Sequence, residues 1–157
     1  MASLIFEYKE GNMKVNELIS SWDEDSKINE LEMGQEAIRT DRLHFKYTKM
    51  IIEENVRLAM TKNEYNKKYK ELWQIYTKDA IRSTDLKVIA KSPSGGVMEK
   101  NAEMFIQADE EFQVVSVKLA LQTEICNALK DIKWQLTKRN DTIKNYIAWK
   151  KFMAGGD

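Results

Sequence analysis

Between Phe112 and Ile147 the chain carries Phe112, Val115, Leu119, Gln122, Cys126, Leu129, Lys133, Leu136, Asn140, Ile143 and Ile147 in alternating steps of three and four. That spacing brings each residue back to one side of an α-helix every seventh position, so the pattern demands a second helix along its length. Gln122, Lys133 and Asn140 are polar entries in the seam, of the kind that sets register and oligomer state at some loss of stability. Asp109 is a candidate N-cap, and Glu110 and Glu111 follow it in the turn where the helix dipole favours anions. A helix is therefore expected from Asp109 to about Met153. It would protrude from a globule of 18.4 kDa, so the seam implies self-association as well as an intrachain hairpin.

The hairpin partner is expected from about Thr40 to Tyr76. Ile51, Leu58, Tyr65 and Leu72 fall at seven-residue intervals, and Tyr47, Tyr69 and Tyr76 stand four residues from members of that row. Before it, Val15, Leu18, Ile19 and Trp22 suit a short amphipathic helix, broken by the acidic run Asp23-Glu24-Asp25-Ser26. Gly34 argues against a long helix over residues 30–40, and Leu4-Ile5-Phe6 suggests an extension or short strand. Ser92-Pro93-Ser94-Gly95-Gly96 is a linker, because the residue before Pro is pushed out of the α region. Leu86-Lys87-Val88-Ile89 reads equally as strand or turn. Met98 to Ala108 reads as a short helix burying Met98, Met104, Phe105 and Ile106. A single Pro and six Gly argue against an all-β fold, whose turns consume both. The expected fold is mainly α: a long helical hairpin with short N-terminal helices, whose C-terminal helices bundle into a homo-oligomer. Residues 1–40 form an acidic segment and residues 41–157 the hairpin core, within one domain overall.

The formal net charge is zero, but its distribution is uneven. Residues 1–40 hold nine acids and four bases, residues 41–80 six and nine, and residues 129–157 three and seven. Two basic helical faces could thus meet a polyanion. Catalytic readings are thin. His44 stands on a helix with no Ser or Cys partner arranged beside it, and Cys126 lies in the seam as a small core hydrophobe. One Cys and one His allow no intrachain disulfide and no usual zinc site. Gly95-Gly96 lacks the context of a phosphate-binding loop. No catalytic residue, metal or cofactor is expected. No apolar run approaches the ~20 residues of a membrane span, and no signal-peptide pattern opens the chain.

The strongest chemical pattern is the interleaving of Lys62, Lys67, Lys68, Lys70 and Lys78 with Tyr65, Tyr69, Trp73 and Tyr76. Cations neutralise phosphates, and aromatic faces stack on unpaired bases without sequence preference. Tyr65, Tyr69 and Tyr76 share the core stripe, which leaves Trp73 as the expected exposed stacker. Lys138, Arg139, Lys144, Lys150 and Lys151 recur among Tyr146, Trp149 and Phe152, with Leu136, Ile143, Tyr146 and Ile147 on the side expected to meet neighbouring copies. A basic amphipathic helix of this kind also suits a membrane surface or a calmodulin-like groove. A helical scaffold without DNA binding is the alternative for the whole chain.

Five blocks carry a resemblance: Trp22-x-x-Asp25-Ser26-x-Ile28, Leu43-His44-x-Lys46-Tyr47-x-Lys49, Tyr69-Lys70-x-Leu72-x-x-x-Tyr76-Thr77, Ile106-x-Ala108-Asp109, and Arg139-x-x-x-Ile143-Lys144-Asn145-x-Ile147-x-Trp149-x-x-Phe152. In this order the chain, over about residues 14 to 155, resembles the UvsY recombination mediator family of T4-like bacteriophages. The resemblance implies non-specific binding of single-stranded DNA and hexameric or heptameric rings. It also implies a non-catalytic role, in the host-cell cytoplasm, in loading a RecA-like (UvsX-type) recombinase onto strands covered by the phage single-stranded-DNA-binding protein. The family's basic motif matches around Lys70; Leu72 stands at its second basic position and Lys78 where a Gly is common, with Lys67, Lys68 and Lys78 as compensating cations. The oligomerising helix matches Ile143 to Phe152, including Trp149.

Overall fold

Positions 35–92 and 97–154 contain neither Gly nor Pro, and their Lys, Glu, Leu and Ile content lowers the cost of helix. The computed structural model describes residues 2–77 and 99–155, with side chains over residues 14–77 and 101–155. Every regular element among them is a helix: α1 (Ala2–Ser26), α2 (Met33–Tyr76), α3 (Glu99–Ala108) and α4 (Glu110–Met153). The mainly α expectation holds. The expected linker, the Leu86–Ile89 segment, Met98 and Lys78 lie outside the described residues.

Four local expectations are corrected. Residues 2–12 are helical, not extended, and α1 continues through the acidic run to Ser26. The short apolar run Leu4-Ile5-Phe6 is compatible with either state, because periodicity cannot separate them over three residues. Helix α2 starts at Met33, seven residues before the expected start. Gly34 then falls in the first turn, where it costs less than in a helix interior, and the first helical bonds run from Gln35 and Glu36 N–H to the Glu32 carbonyl at 2.9 and 3.0 Å. What separates α1 from α2 is Asn29, whose Oδ1 accepts from Leu31 N–H at 3.1 Å while Glu32 N–H donates to its carbonyl. This is the side-chain mimicry of a turn that Asn favours. In α3, Ala102 and Ile106 are buried and Phe105 half-buried, but Met104 is 65% exposed.

The described residues of Met13–Val56 and Thr123–Asp157 form one compact unit, and those of Met1–Asn12 and Arg57–Gln122 another. In the first, Leu18 of α1, Leu43 and Tyr47 of α2, and Ile125, Leu129, Ile132 and Leu136 of α4 make the core. The α2 and α4 segments run antiparallel there: Cys126 Sγ donates to the Glu54 carbonyl at 3.5 Å, and Arg139 reaches Thr40. Cys126 is a buried thiol in no disulfide, and its burial is what its seam position predicts. Trp22 meets Tyr47 edge-on, with ring centroids 5.6 Å apart. In the second unit, Leu72, Ile75, Ile106 and Phe112 form the core, flanked by Tyr65, Tyr69, Trp73, Tyr76 and Val115. Pairing is again antiparallel, since Lys118 bonds Glu64 and Lys68 bonds Glu111. Thr40 and Thr61 within α2, and Thr77 just past its end, turn their hydroxyls onto carbonyls four residues back. That lets them be buried without an orphaned donor.

The helix ends follow from side-chain chemistry. Asp109 Oδ1 accepts from the N–H groups of Glu111 and Phe112 at 2.9 and 3.2 Å, capping α4. Its Oδ2 accepts from Tyr76 Oη at 3.0 Å, which ties the end of α2 to the start of α4. At the other end Gly155 adopts a φ of 78°. Its N–H donates to the Phe152 carbonyl, the left-handed C-terminal stop for which Gly is favoured.

Candidate nucleic-acid interface

Helical geometry sorts the side chains of residues 60–76 into two sets. Tyr65, Tyr69, Leu72 and Tyr76 face the core, and Phe112 packs at 5.0 Å from the Tyr65 ring and 5.9 Å from that of Tyr69. On the side away from them lie Asn63, Asn66, Lys67, Lys70 and Gln74, all exposed, within an arc of about 100° at 100° per residue. Lys62 is also exposed, at the margin of that arc. Lys62, Lys67 and Lys70 have no ion-pair partner among the described residues. Asn63, Asn66 and Gln74 extend the sequence-predicted set with amide donors. The signal for them was present, because i, i+3 and i+4 neighbours of Lys67 and Lys70 share one helix face.

The acids of this stretch are drawn to the flank. Glu64 Oε2 accepts from Lys118 Nζ at 2.8 Å. Glu71 lies 3.1 Å from Lys68 Nζ, which also donates to Glu111 at 2.9 Å. Lys68 is therefore a bridging cation rather than an open one. Its ammonium is held above the usual lysine range, chiefly by the hydrogen bond to Glu111, and burial opposes that shift. Trp73 is not the free ring expected of it. It is half-buried, packs against the Leu72 core and stacks on Tyr69 at 6.1 Å and 26°. Its position one residue beyond Leu72 turns it towards the margin of the core rather than to open solvent.

The residues expected to bring copies together divide by burial. Leu136 and Ile143 are buried within the chain's own unit. Tyr146 is half-buried and donates to Glu30 Oε2 at 2.6 Å. Ile147, Trp149, Phe152 and Met153 are exposed, Trp149 at 53% and Phe152 at 76%. Beside them an open groove of about 370 Å³ is lined by Met33, Tyr146, Ile147, Lys150 and Ala154 among others. Seam positions are shared between the chain's own core and this exposed outer end. His44 is exposed, and no group of His, Cys, Asp and Glu among the described residues could hold a metal ion. None of their helices is long and apolar enough to cross a membrane.

A search of the curated proteins and a search of the solved structures each matched nothing. A family model described as "recombination, repair and ssDNA binding protein UvsY" matches residues 21–156, a span that takes in the end of α1 and all of α2, α3 and α4. The chain belongs to the UvsY family of recombination, repair and single-stranded-DNA-binding proteins.

Proposed function

We propose that this protein is a non-catalytic recombination mediator. It binds single-stranded DNA through the exposed Lys62, Lys67 and Lys70 face of α2, with Lys68 and Lys78 as reserve cations and Trp73 at the margin. The observation that supports the placement is the segregation of charge: the open face keeps its cations while Glu64 and Glu71 are occupied by Lys118 and Lys68. Contacts to phosphates position a strand without reading its bases, so binding is independent of sequence. Copies associate through Ile147, Trp149 and Phe152 in a hexameric or heptameric ring, acting in the cytoplasm of a phage-infected host. A ring arrays many weak faces and gains by multivalency what one copy lacks. A strand so held is presented to a RecA-like, UvsX-type recombinase while the phage single-stranded-DNA-binding protein is displaced.

The test is fluorescence anisotropy of labelled oligo-dT across a salt series. Affinity should fall steeply with salt, with a log–log slope near −0.7 per phosphate neutralised. A Lys67→Ala, Lys70→Ala double variant should weaken binding and flatten that slope by about 1.4 per copy engaged. Unchanged affinity and slope would remove this face from the DNA site. A helical scaffold would show no salt-sensitive binding from the outset.

A further inference from the structure

In the unit formed by Met13–Val56 and Thr123–Asp157, the exposed apolar side chains differ in setting. On α2, Ile38, Phe45 and Ile52 are exposed at seven-residue steps, the spacing of a seam for another helix. Trp134 on α4 is different. Its ring is 64% exposed, yet the positions seven residues to either side are Asn127 and Asp141. The positions three and four away are Lys130, Asp131, Thr137 and Lys138, all exposed. No apolar stripe runs through it, so a partner helix or a lipid surface would gain one ring and desolvate a ring of polar groups. Lys138 Nζ stands 5.6 Å from the centroid of the indole, and Lys130 lies one turn before it. Trp149 contrasts again, because Phe152 and Met153 are exposed one turn beyond it and make a contiguous apolar end.

A large flat ring with a cation at its face and another one turn away has the chemistry of a nucleotide contact. The base stacks on the indole, and the ammonium groups meet the adjoining phosphates. We infer that Trp134, flanked by Lys130 and Lys138, is a stacking contact for an unpaired base of single-stranded DNA. This deepens the DNA-binding reading above and rests on it. Residues 129–157 carry seven bases against three acids, so the surrounding charge is complementary to a polyanion. Asp131 is the opposing charge closest to the ring in sequence, and its removal should strengthen the contact. Duplex DNA keeps its bases within the stack and offers no face to the indole.

The experiment compares the full-length protein with Trp134→Ala, Trp134→Phe and Asp131→Asn by oligo-dT anisotropy. Tryptophan fluorescence of the parent and of Trp134→Phe is followed in the same titrations. Trp134→Ala should lower affinity by at least about fivefold, the loss that one stacked base supplies. Trp134→Phe should keep most of the affinity, and Asp131→Asn should tighten binding. The salt slope of Trp134→Ala should stay unchanged, since no phosphate contact is lost, and parent fluorescence should be quenched more than that of Trp134→Phe. Thermal melting and native mass of Trp134→Ala should match the parent, because the ring is exposed. Equal affinity of Trp134→Ala and parent, or equal weakening by Phe and Ala, overturns the inference. A changed native mass assigns the ring to a contact between copies and overturns it too. If Lys67→Ala, Lys70→Ala weakens binding while Trp134→Ala does not, this contact alone falls. A parent that ignores oligo-dT sinks both readings.

Discussion

Arg139 is the residue on which most partners converge. Its side chain is 5% exposed and pairs with Glu36 at 2.5 Å. It also donates to Thr40 Oγ1 at 3.2 Å and to the Ser26 and Lys27 carbonyls at 2.6 and 3.0 Å. Carbonyls at the end of α1 have no intrahelical partner, and the planar guanidinium fork can serve several of them together where an ammonium cannot. One side chain of α4 thus closes α1 and fixes the start of α2. Arg139→Ala should cost about 3 kcal/mol in urea unfolding, because it leaves the buried Glu36 carboxylate with only the more exposed Arg39, 3.6 Å away, as partner. Arg139→Lys should recover only part of that loss. Tyr47 carries a second residue-scale signature. Burial, with a smaller contribution from Asp25, raises its phenol to about 12 from the ordinary 10. The neutral phenol is the form the fold favours, so its contribution is fully present below pH 10 and is lost as pH rises towards 12. Stability measured by urea midpoints from pH 9 to 12 should therefore fall more steeply in the parent than in Tyr47→Phe.

At the scale of elements, the two long helices were legible because their signals accumulate over many turns. Seven-residue spacing placed α2 and α4, and Asp109 marked the α4 start to the residue. The N-cap prediction is checked by Asp109→Ala, which should lower stability by about 1 kcal/mol or more. The Tyr76 hydroxyl loses its acceptor in the same change, and Asp109→Asn should retain most of the cap. The start of α2 was not legible. Gly34 counts against helix when read as an interior residue, and only the Asn29 turn and the Glu32 carbonyl bonds show that it lies in the first turn. The length of α1 escaped for a related reason: Asp23 and Asp25 are weak helix formers, yet Lys27 bonds Glu24 at 2.6 Å and Arg139 closes the helix beyond them. Met104 was assigned to the core from its apolar character, but Ala102 and Ile106 occupy the buried side of α3.

For the whole molecule, the question is which apolar surface remains after the chain has buried its own core. Leu136 and Ile143 are consumed internally, so the association proposed above falls to the exposed Ile147, Trp149 and Phe152. A Trp149→Ala, Phe152→Ala variant should lose oligomer mass by native mass spectrometry while keeping its melting temperature. Its apparent affinity for long oligo-dT should drop more than that for a short oligonucleotide, because multivalency is lost and the single face is kept. Mixing an Arg139 variant into the same series would separate folding from assembly, since only the former changes unfolding.

Helix content, the antiparallel partnership of α2 and α4 and the family itself were written into the one-dimensional pattern, because periodicity and ordered short blocks are local properties of the chain. Which lysines stand open was not. Lys67 and Lys68 are adjacent and chemically identical, yet one faces solvent and the other bridges Glu71 and Glu111. The same holds for the tryptophans: Trp73 leans on Tyr69 while Trp134 stands clear. Burial and ion pairing depend on what a second helix brings opposite each position, and that is settled only when the helices pack.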